Sequence, residues 1–223
     1  MQVIDYDEAW DQEVGVNETG VVISINPLSD EQISELPQGV GIISFIEEQK
    51  NPGLVDLLVD QRATVCALEK VPRTTAAQYM DTLTSTAKVA GFKAVQEGIR
   101  ATGRFPMSTA TAGYQVKPAT VFVIGVGVAG LEAISVAKTQ GANVKAFDPR
   151  PEVKDQVTSL GAEWVDMGIT VEEIGGYASD LQAEFLRQEQ MVIARELQDT
   201  DLVITSAAIP NKPPPCPNYR RSS

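Results

Sequence analysis

The chain has 223 residues, 43% hydrophobic and 22% charged, with a formal net charge of -12 and a pI near 4.5. That composition suits an ordinary globular protein of one or two domains with enough apolar residues for a sizeable core. The acidic field excludes general binding to nucleic acid or acidic lipid, so any phosphate must be held locally by backbone amides. Histidine is absent, which excludes an imidazole general base, a Ser-His-Asp triad and a His metal ligand.

The most apolar stretch, 121–137, is interrupted by Gly125, Gly127, Gly130 and Glu132, so no membrane span is expected. The acidic N-terminus carries no recognisable signal or transit peptide. Cys66 and Cys216 lie 150 residues apart without metal-ligand spacing. They predict no disulfide framework and no metal site, and a reduced, intracellular setting follows as the expectation.

In chain order, residues 1–20 are polar and aperiodic and read as a loose leader. An apolar run at 21–25 predicts a strand, Ser29 and Gln32 form a capping box for a short helix, and 40–46 predicts a second strand. Asn51 and Pro52 read as cap and first residue of a helix to 61, followed by a strand over 63–68 in which Cys66 is expected to be a buried small hydrophobe. The order is βαβαβ. A polar segment over 73–86 precedes a helix whose Ala87, Ala90, Ala94, Gly98 and Ala101 recur at spacings of three and four, which predicts close packing. Residues 105–118 show no periodicity, and the domain boundary is expected near 115.

The second part opens at 120–124 with a continuous apolar run suited to a strand buried on both faces. A helix over 128–140, a strand over 144–147, a helix over 151–160 and a short strand over 163–165 repeat the βαβαβ order. A glycine-containing loop at 168–177, a helix over 180–198 and a strand over 202–205 follow. The tail from 210 to 223 has five prolines and is expected to be disordered. The fold class predicted is α/β, with two Rossmann-like parallel-sheet domains, 21–115 and 116–209, both incomplete.

Gly125-Val126-Gly127-Val128-Ala129-Gly130 fits the pattern G-x-G-x-x-G: one glycine for the tight turn, one for close approach of a pyrophosphate, one for helix-on-strand packing. Such a turn can serve packing alone. Here it follows a buried strand and opens a helix, and Asp148 stands 23 residues after Gly125 at the end of the next strand, where a carboxylate can accept from an adenosine ribose hydroxyl. A carboxylate at that place repels the 2'-phosphate of NADP, so NAD(H) is the expected cofactor. Pro149 and Arg150 follow; arginine there can accommodate a phosphate, or can be a solvated residue at the helix entrance.

These residues carry a resemblance to the alanine dehydrogenase and transhydrogenase superfamily, in particular to the NAD(H)-binding component of proton-translocating transhydrogenase. Val71-Pro72-Arg73-Thr74-Thr75-Ala76-Ala77-Gln78-Tyr79-Met80-Asp81 resembles the family loop whose Arg, Gln and Asp contact the nicotinamide end of the cofactor. Ala90 to Val95 resembles the following helix, Gly125 to Gly130 the fingerprint, Gly175-Gly176-Tyr177-Ala178 a mobile loop, and Ile204 to Pro210, with Ala208, the strand end that meets the nicotinamide ribose.

The resemblance implies that Arg73, Gln78 and Asp81 orient the dihydronicotinamide, with Thr74 and Thr75 beside them, and that Tyr177 and Gly176 cap the nucleotide. Without it, Arg73 to Asp81 reads as a surface ion pair and a polar turn. It further implies hydride transfer to NADP(H) on a partner domain, a proton-conducting membrane component, a homodimer, and a place peripheral to a bacterial cytoplasmic or mitochondrial inner membrane. A soluble NAD-dependent amino-acid dehydrogenase of alanine type is the alternative, which the missing histidine disfavours. An inactive nucleotide-binding remnant is another, since the family component is expected to be longer at both ends. Hydride transfer between two nicotinamides needs no side-chain acid or base.

Overall fold

The computed structural model describes residues 20–166 and 178–206, the side chains of 178–186 excepted. The chain divides into two compact units, Met1–Leu83 and Thr84–Ser223.

In the first unit β1 (Val21–Ile23), α1 (Asp30–Glu35), β2 (Gly41–Ser44), α2 (Leu54–Asp60) and β3 (Thr64–Ala67) build a parallel sheet in the order β1-β2-β3. The capping box starts α1 as expected: the Ser29 hydroxyl accepts the Gln32 amide at 3.2 Å, and the Gln32 side chain accepts the Ser29 amide at 2.8 Å. Helix α2 starts later than expected. Gly53, at φ 95°, is its N-cap, whereas Asn51 uses its side-chain amide on the carbonyls of Ile46 and Glu47 at 3.1 and 3.4 Å.

Ile33, Leu36, Val40, Ile42, Leu54 and Leu58 form the core under α1 and α2. Ile43 and Cys66, paired in register, belong to the other alternation of the strands. Cys66 is exposed, which corrects its expected burial. The two helices share a core with one side of the pleat, and neighbouring residues of a strand point to opposite sides.

In the second unit the sheet comprises β6 (Thr120–Ile124), β7 (Asn143–Phe147), β8 (Glu163–Trp164) and β9 (Leu202–Thr205), all parallel, in the order β8-β7-β6-β9. Helices α4 (Val128–Thr139), α5 (Lys154–Ser159) and α6 (Ala178–Glu196) connect them. A 3-10 turn at Pro151–Val153 precedes α5, with proline in its first turn as the sequence suggests.

Both faces of this sheet are covered. Val121, Val123, Val144, Ala146 and Ile204 pack with Ala133, Ile134 and Ala137 of α4 and Val157 of α5. Phe122, Ile124, Phe147 and Val165 pack with Ile193 of α6. That explains the unbroken apolar run of β6. At the rim Lys145 of β7 binds Glu196 of α6 at 2.7 Å.

Helix α3 (Thr82–Thr102) begins before the small-residue face that predicted it. Its Val95 is fully buried in the core with Val121 and Ile134, in the unit that begins at Thr84. Gly91 and Val95 are the buried positions of the helix, whereas Ala90 is exposed. The segment without periodicity, 105–118, contains an antiparallel hairpin, β4 (Thr109–Thr111) paired with β5 (Tyr114–Val116).

Candidate functional site

Strand β6 lies between β7 and β9, so the chain goes to one side after β6 and returns on the other for β9. In open parallel sheets such a reversal leaves a crevice at the carboxyl ends of the strands, where ligands bind. The turn from Gly125 to Gly127 sits at the carboxyl end of β6 and opens α4.

Gly125 has φ 92°, a conformation that a side chain would strain. Its amide donates to the Phe147 carbonyl at 2.8 Å, and its carbonyl accepts the Ser206 hydroxyl at 2.7 Å. The turn is thereby tied to both neighbours of β6. At Gly130 a Cβ would stand 2.0 Å from the Gly125 carbonyl oxygen, so a side chain there would push α4 off the turn. Gly127 is different: a Cβ there would meet nothing within 4 Å.

Gly127 is also the N-cap of α4 and supplies no side-chain cap. The first amides of a helix have no intrahelical acceptor, and they carry the positive end of its dipole. Gly127, Val128 and Ala129 thus offer an anion site with open space in front of it, which fits the pyrophosphate of a dinucleotide.

Asp148 follows β7 and is buried. Its Oδ2 accepts the Val126 amide at 2.7 Å, and its Oδ1 accepts the Arg150 amide at 2.9 Å. The Arg150 guanidinium adds two contacts, Nε to Oδ1 at 2.9 Å and Nη2 to Oδ2 at 3.0 Å. Burial by itself pushes the Asp148 carboxyl up, but the Arg150 guanidinium and the Val126 and Arg150 amides outweigh it and hold the group below the usual carboxylate range. The ribose-binding candidate therefore also locks the glycine turn to β7. Arg150 is paired with Asp148 through a side chain that is 60% exposed.

Three further residues escaped the sequence reading. Ser206 carries the hydroxyl that fixes Gly125; its signal is a polar residue at the carboxyl end of an apolar strand. Gly91 of α3 faces α4 so closely that a Cβ would lie 2.2 Å from the Ala129 carbonyl oxygen; it adjoins the predicted stripe but is not part of it. Glu189 of α6 is half-buried, and burial followed by the charge of Asp148 pushes its carboxyl up. Nothing local in the sequence marks that proximity.

The second group of predicted residues lies in the first unit. Arg73 and Thr74 precede a 3-10 helix, Thr75–Met80, which contains Thr75 and Gln78 and ends at Asp81. Only Ala77 is buried there, and the side chains of Arg73, Thr74, Thr75 and Gln78 are exposed. The structure thus brings Gly125, Gly127, Val128, Ala129, Gly130, Asp148, Pro149 and Arg150 together in one unit and Arg73 to Asp81 on one segment of the other. Gly176, Tyr177 and Ala208 lie outside the described residues. Among the described residues no group of three or more acidic or cysteine side chains could hold a metal ion.

Two family models match, described as alanine dehydrogenase/PNT, N-terminal domain, over residues 8–90 and alanine dehydrogenase/PNT, C-terminal domain, over residues 94–216. The chain is 41% identical over 201 residues to the NAD(P) transhydrogenase subunit alpha of Haemophilus influenzae, covering 89% of this chain and 39% of that protein. It is 41% identical over 200 residues to the NAD(P) transhydrogenase subunit alpha of Cereibacter sphaeroides, covering 87% of this chain and 38% of that one. The chain therefore spans less than half the length of these relatives. A crystal structure of transhydrogenase from Sinorhizobium meliloti superposes with a TM-score of 0.73 at 33% identity, covering 87% of this chain and 52% of that one. An L-alanine dehydrogenase shares the fold at a TM-score of 0.62 and 21% identity, covering 95% of this chain and 52% of that one. With both domain models matched in order and a parallel sheet carrying the glycine turn at its reversal point, the chain belongs to the alanine dehydrogenase/PNT family.

Proposed function

We propose that this chain is the NAD(H)-binding part of a proton-translocating NAD(P) transhydrogenase. The observation that carries the reading is the glycine turn locked to buried Asp148 at the point where the strand order reverses. The 41% identity to a transhydrogenase alpha subunit supports it. The more distant alanine dehydrogenase likeness supports only the fold. A chain without histidine suits hydride transfer between nicotinamides better than oxidation of an amino acid.

In this reading bound NADH supplies the hydride, and the chain supplies position. The amides of Gly127, Val128 and Ala129 hold the pyrophosphate, while Gly125 and Gly130 keep α4 close enough to do so. Asp148 accepts from the adenosine ribose, flanked by Pro149 and Arg150. Arg73, Thr74, Thr75, Gln78 and Asp81 orient the nicotinamide, Gly176 and Tyr177 cover the nucleotide, and Ala208 meets the nicotinamide ribose. These last three roles rest on the family resemblance.

NADP(H) then binds a partner domain, and a membrane component conducts protons; the chain acts as a homodimer beside an energy-transducing membrane. No described helix is long and apolar enough to cross one. Titration of the chain with NADH and with NADPH, followed by nucleotide fluorescence, tests the reading. Preference for NADH supports it; equal affinity removes the basis for assigning Asp148 to the ribose.

A further inference from the structure

We propose that Arg150 is a clasp that competes with the adenosine ribose for Asp148, so a ribose diol binds only as the guanidinium lets go. The inference rests on the NAD(H) reading above and concerns how that site admits its ligand.

A carboxylate offers about four lone-pair positions. On Asp148 all are taken: Oδ1 by the Arg150 amide and Nε, both at 2.9 Å, and Oδ2 by the Val126 amide at 2.7 Å and Arg150 Nη2 at 3.0 Å. A ribose hydroxyl therefore meets a saturated acceptor. The two amides are fixed by the backbone, Val126 within the glycine turn and Arg150 two residues beyond the aspartate. The guanidinium is the donor that can leave, because its side chain is 60% exposed while that of Asp148 is 4% exposed. Its remaining contact, Nη2 to the Val126 carbonyl, is long at 3.4 Å.

Release leaves Asp148 still held by two amides, so its freed lone pairs point from a fixed position toward the incoming diol. An ion pair with one exposed partner is worth little in water. The clasp therefore lowers affinity modestly, by about two- to fivefold.

The test uses adenosine and 2',3'-dideoxyadenosine, both uncharged, so that phosphate contacts of Arg150 do not enter. Each competes with NADH in a fluorescence titration of the full chain and of Arg150→Gln. The expected result is that Arg150→Gln binds adenosine about two- to fivefold more tightly, with no gain for the dideoxynucleoside. High salt should bring the unmodified chain toward the variant. Weaker or unchanged adenosine binding by Arg150→Gln, or an equal gain for both nucleosides, overturns the clasp while leaving the NAD(H) reading intact. Failure of both proteins to bind NADH overturns both. Should melting curves show Arg150→Gln unfolded, Arg150→Lys, which keeps the charge but not the two-pronged contact, is read against the same criteria.

Discussion

The carboxylate of Asp148 accepts the amide of Val126 at 2.7 Å across 22 residues of sequence. That bond joins the end of β7 to the glycine turn after β6. The residue expected to recognise the ligand thus also shapes the loop that would hold it, and the two duties can be separated. Asp148→Ala leaves the Val126 amide without its buried acceptor and removes the ribose acceptor, and should cost about 1–3 kcal/mol in stability and a similar amount in NADH binding. Asp148→Asn keeps an oxygen for Val126 and should recover much of the melting temperature but not NADH affinity. Equal losses in both variants would indicate that charge, not the hydrogen bond, holds the turn.

The glycines divide in the same way. Gly130→Ala places a methyl 2.0 Å from the Gly125 carbonyl oxygen and should destabilise the unit by about 1–3 kcal/mol or more. Gly127 has φ -88° and ψ -165°, which alanine adopts without strain, and a Cβ there meets nothing within 4 Å. Gly127→Ala should therefore unfold within about 0.5 kcal/mol of the unmodified chain yet lose NADH affinity, because the methyl occupies the space a pyrophosphate would enter. Denaturant midpoints and NADH titrations decide; unchanged affinity in Gly127→Ala would place the pyrophosphate elsewhere.

Asp148 and Glu189 respond oppositely to pH. The folded pKa of Asp148 is lowered, so its stabilisation is present above the unfolded value of about 3.9 and is lost as pH falls through the folded one. That of Glu189 is raised, by burial first and then by Asp148, so its contribution is complete below the unfolded value of about 4.3 and is lost as pH rises through the folded one. Glu189→Gln should match the unmodified chain in acid and be the more stable at pH 8. Urea midpoints at acid, intermediate and alkaline pH check this, and a lower midpoint for the variant at pH 8 would contradict it.

Gln78 sits in a segment where only Ala77 is buried, and its side chain is exposed. Truncating an exposed side chain costs little folding energy, so Gln78→Ala should melt within about 0.5 kcal/mol of the unmodified chain. On the proposed function it should slow hydride transfer in an assembly reconstituted with an NADP-binding partner while leaving ADP competition nearly unchanged. Loss of ADP binding would give the segment a structural role instead.

What could be read in advance was local. The run at 120–124, the turn at Gly125 to Gly130 and the spacing to Asp148 each express a rule that acts within one βαβ unit, and strands β6 and β7 formed there. The capping box at Ser29 is local too, and it formed. What escaped depended on tertiary placement or on the exact path of a turn. Exposure of Cys66 depends on which face of β3 the helices cover. The start of α2 was decided by Gly53 once Asn51 found the Ile46 carbonyl. Burial of Gly91 and not Ala90 depends on where α4 lies. The grip of Arg150 on Asp148 is only two residues long, but it needs the sharp turn after β7, which spacing alone does not specify.

A final expectation concerns turnover. The sequence contains a single G-x-G-x-x-G run, Gly125 to Gly130, and the described residues place it at the reversal point of one sheet. Hydride transfer between NADH and NADP requires two dinucleotides with their nicotinamides in contact, and one such crevice holds one of them. On the proposed function the Asp148 carboxylate repels a 2'-phosphate, which further disfavours NADP in that crevice. On the proposed function, the chain incubated with NADH and an oxidised NADP analogue should reduce none of the analogue, and adding an NADP-binding transhydrogenase partner should start the reaction. The absorbance of the reduced analogue follows it directly. Turnover without a partner would require a second nucleotide site on this chain and would defeat the reading that NADP binds a partner domain.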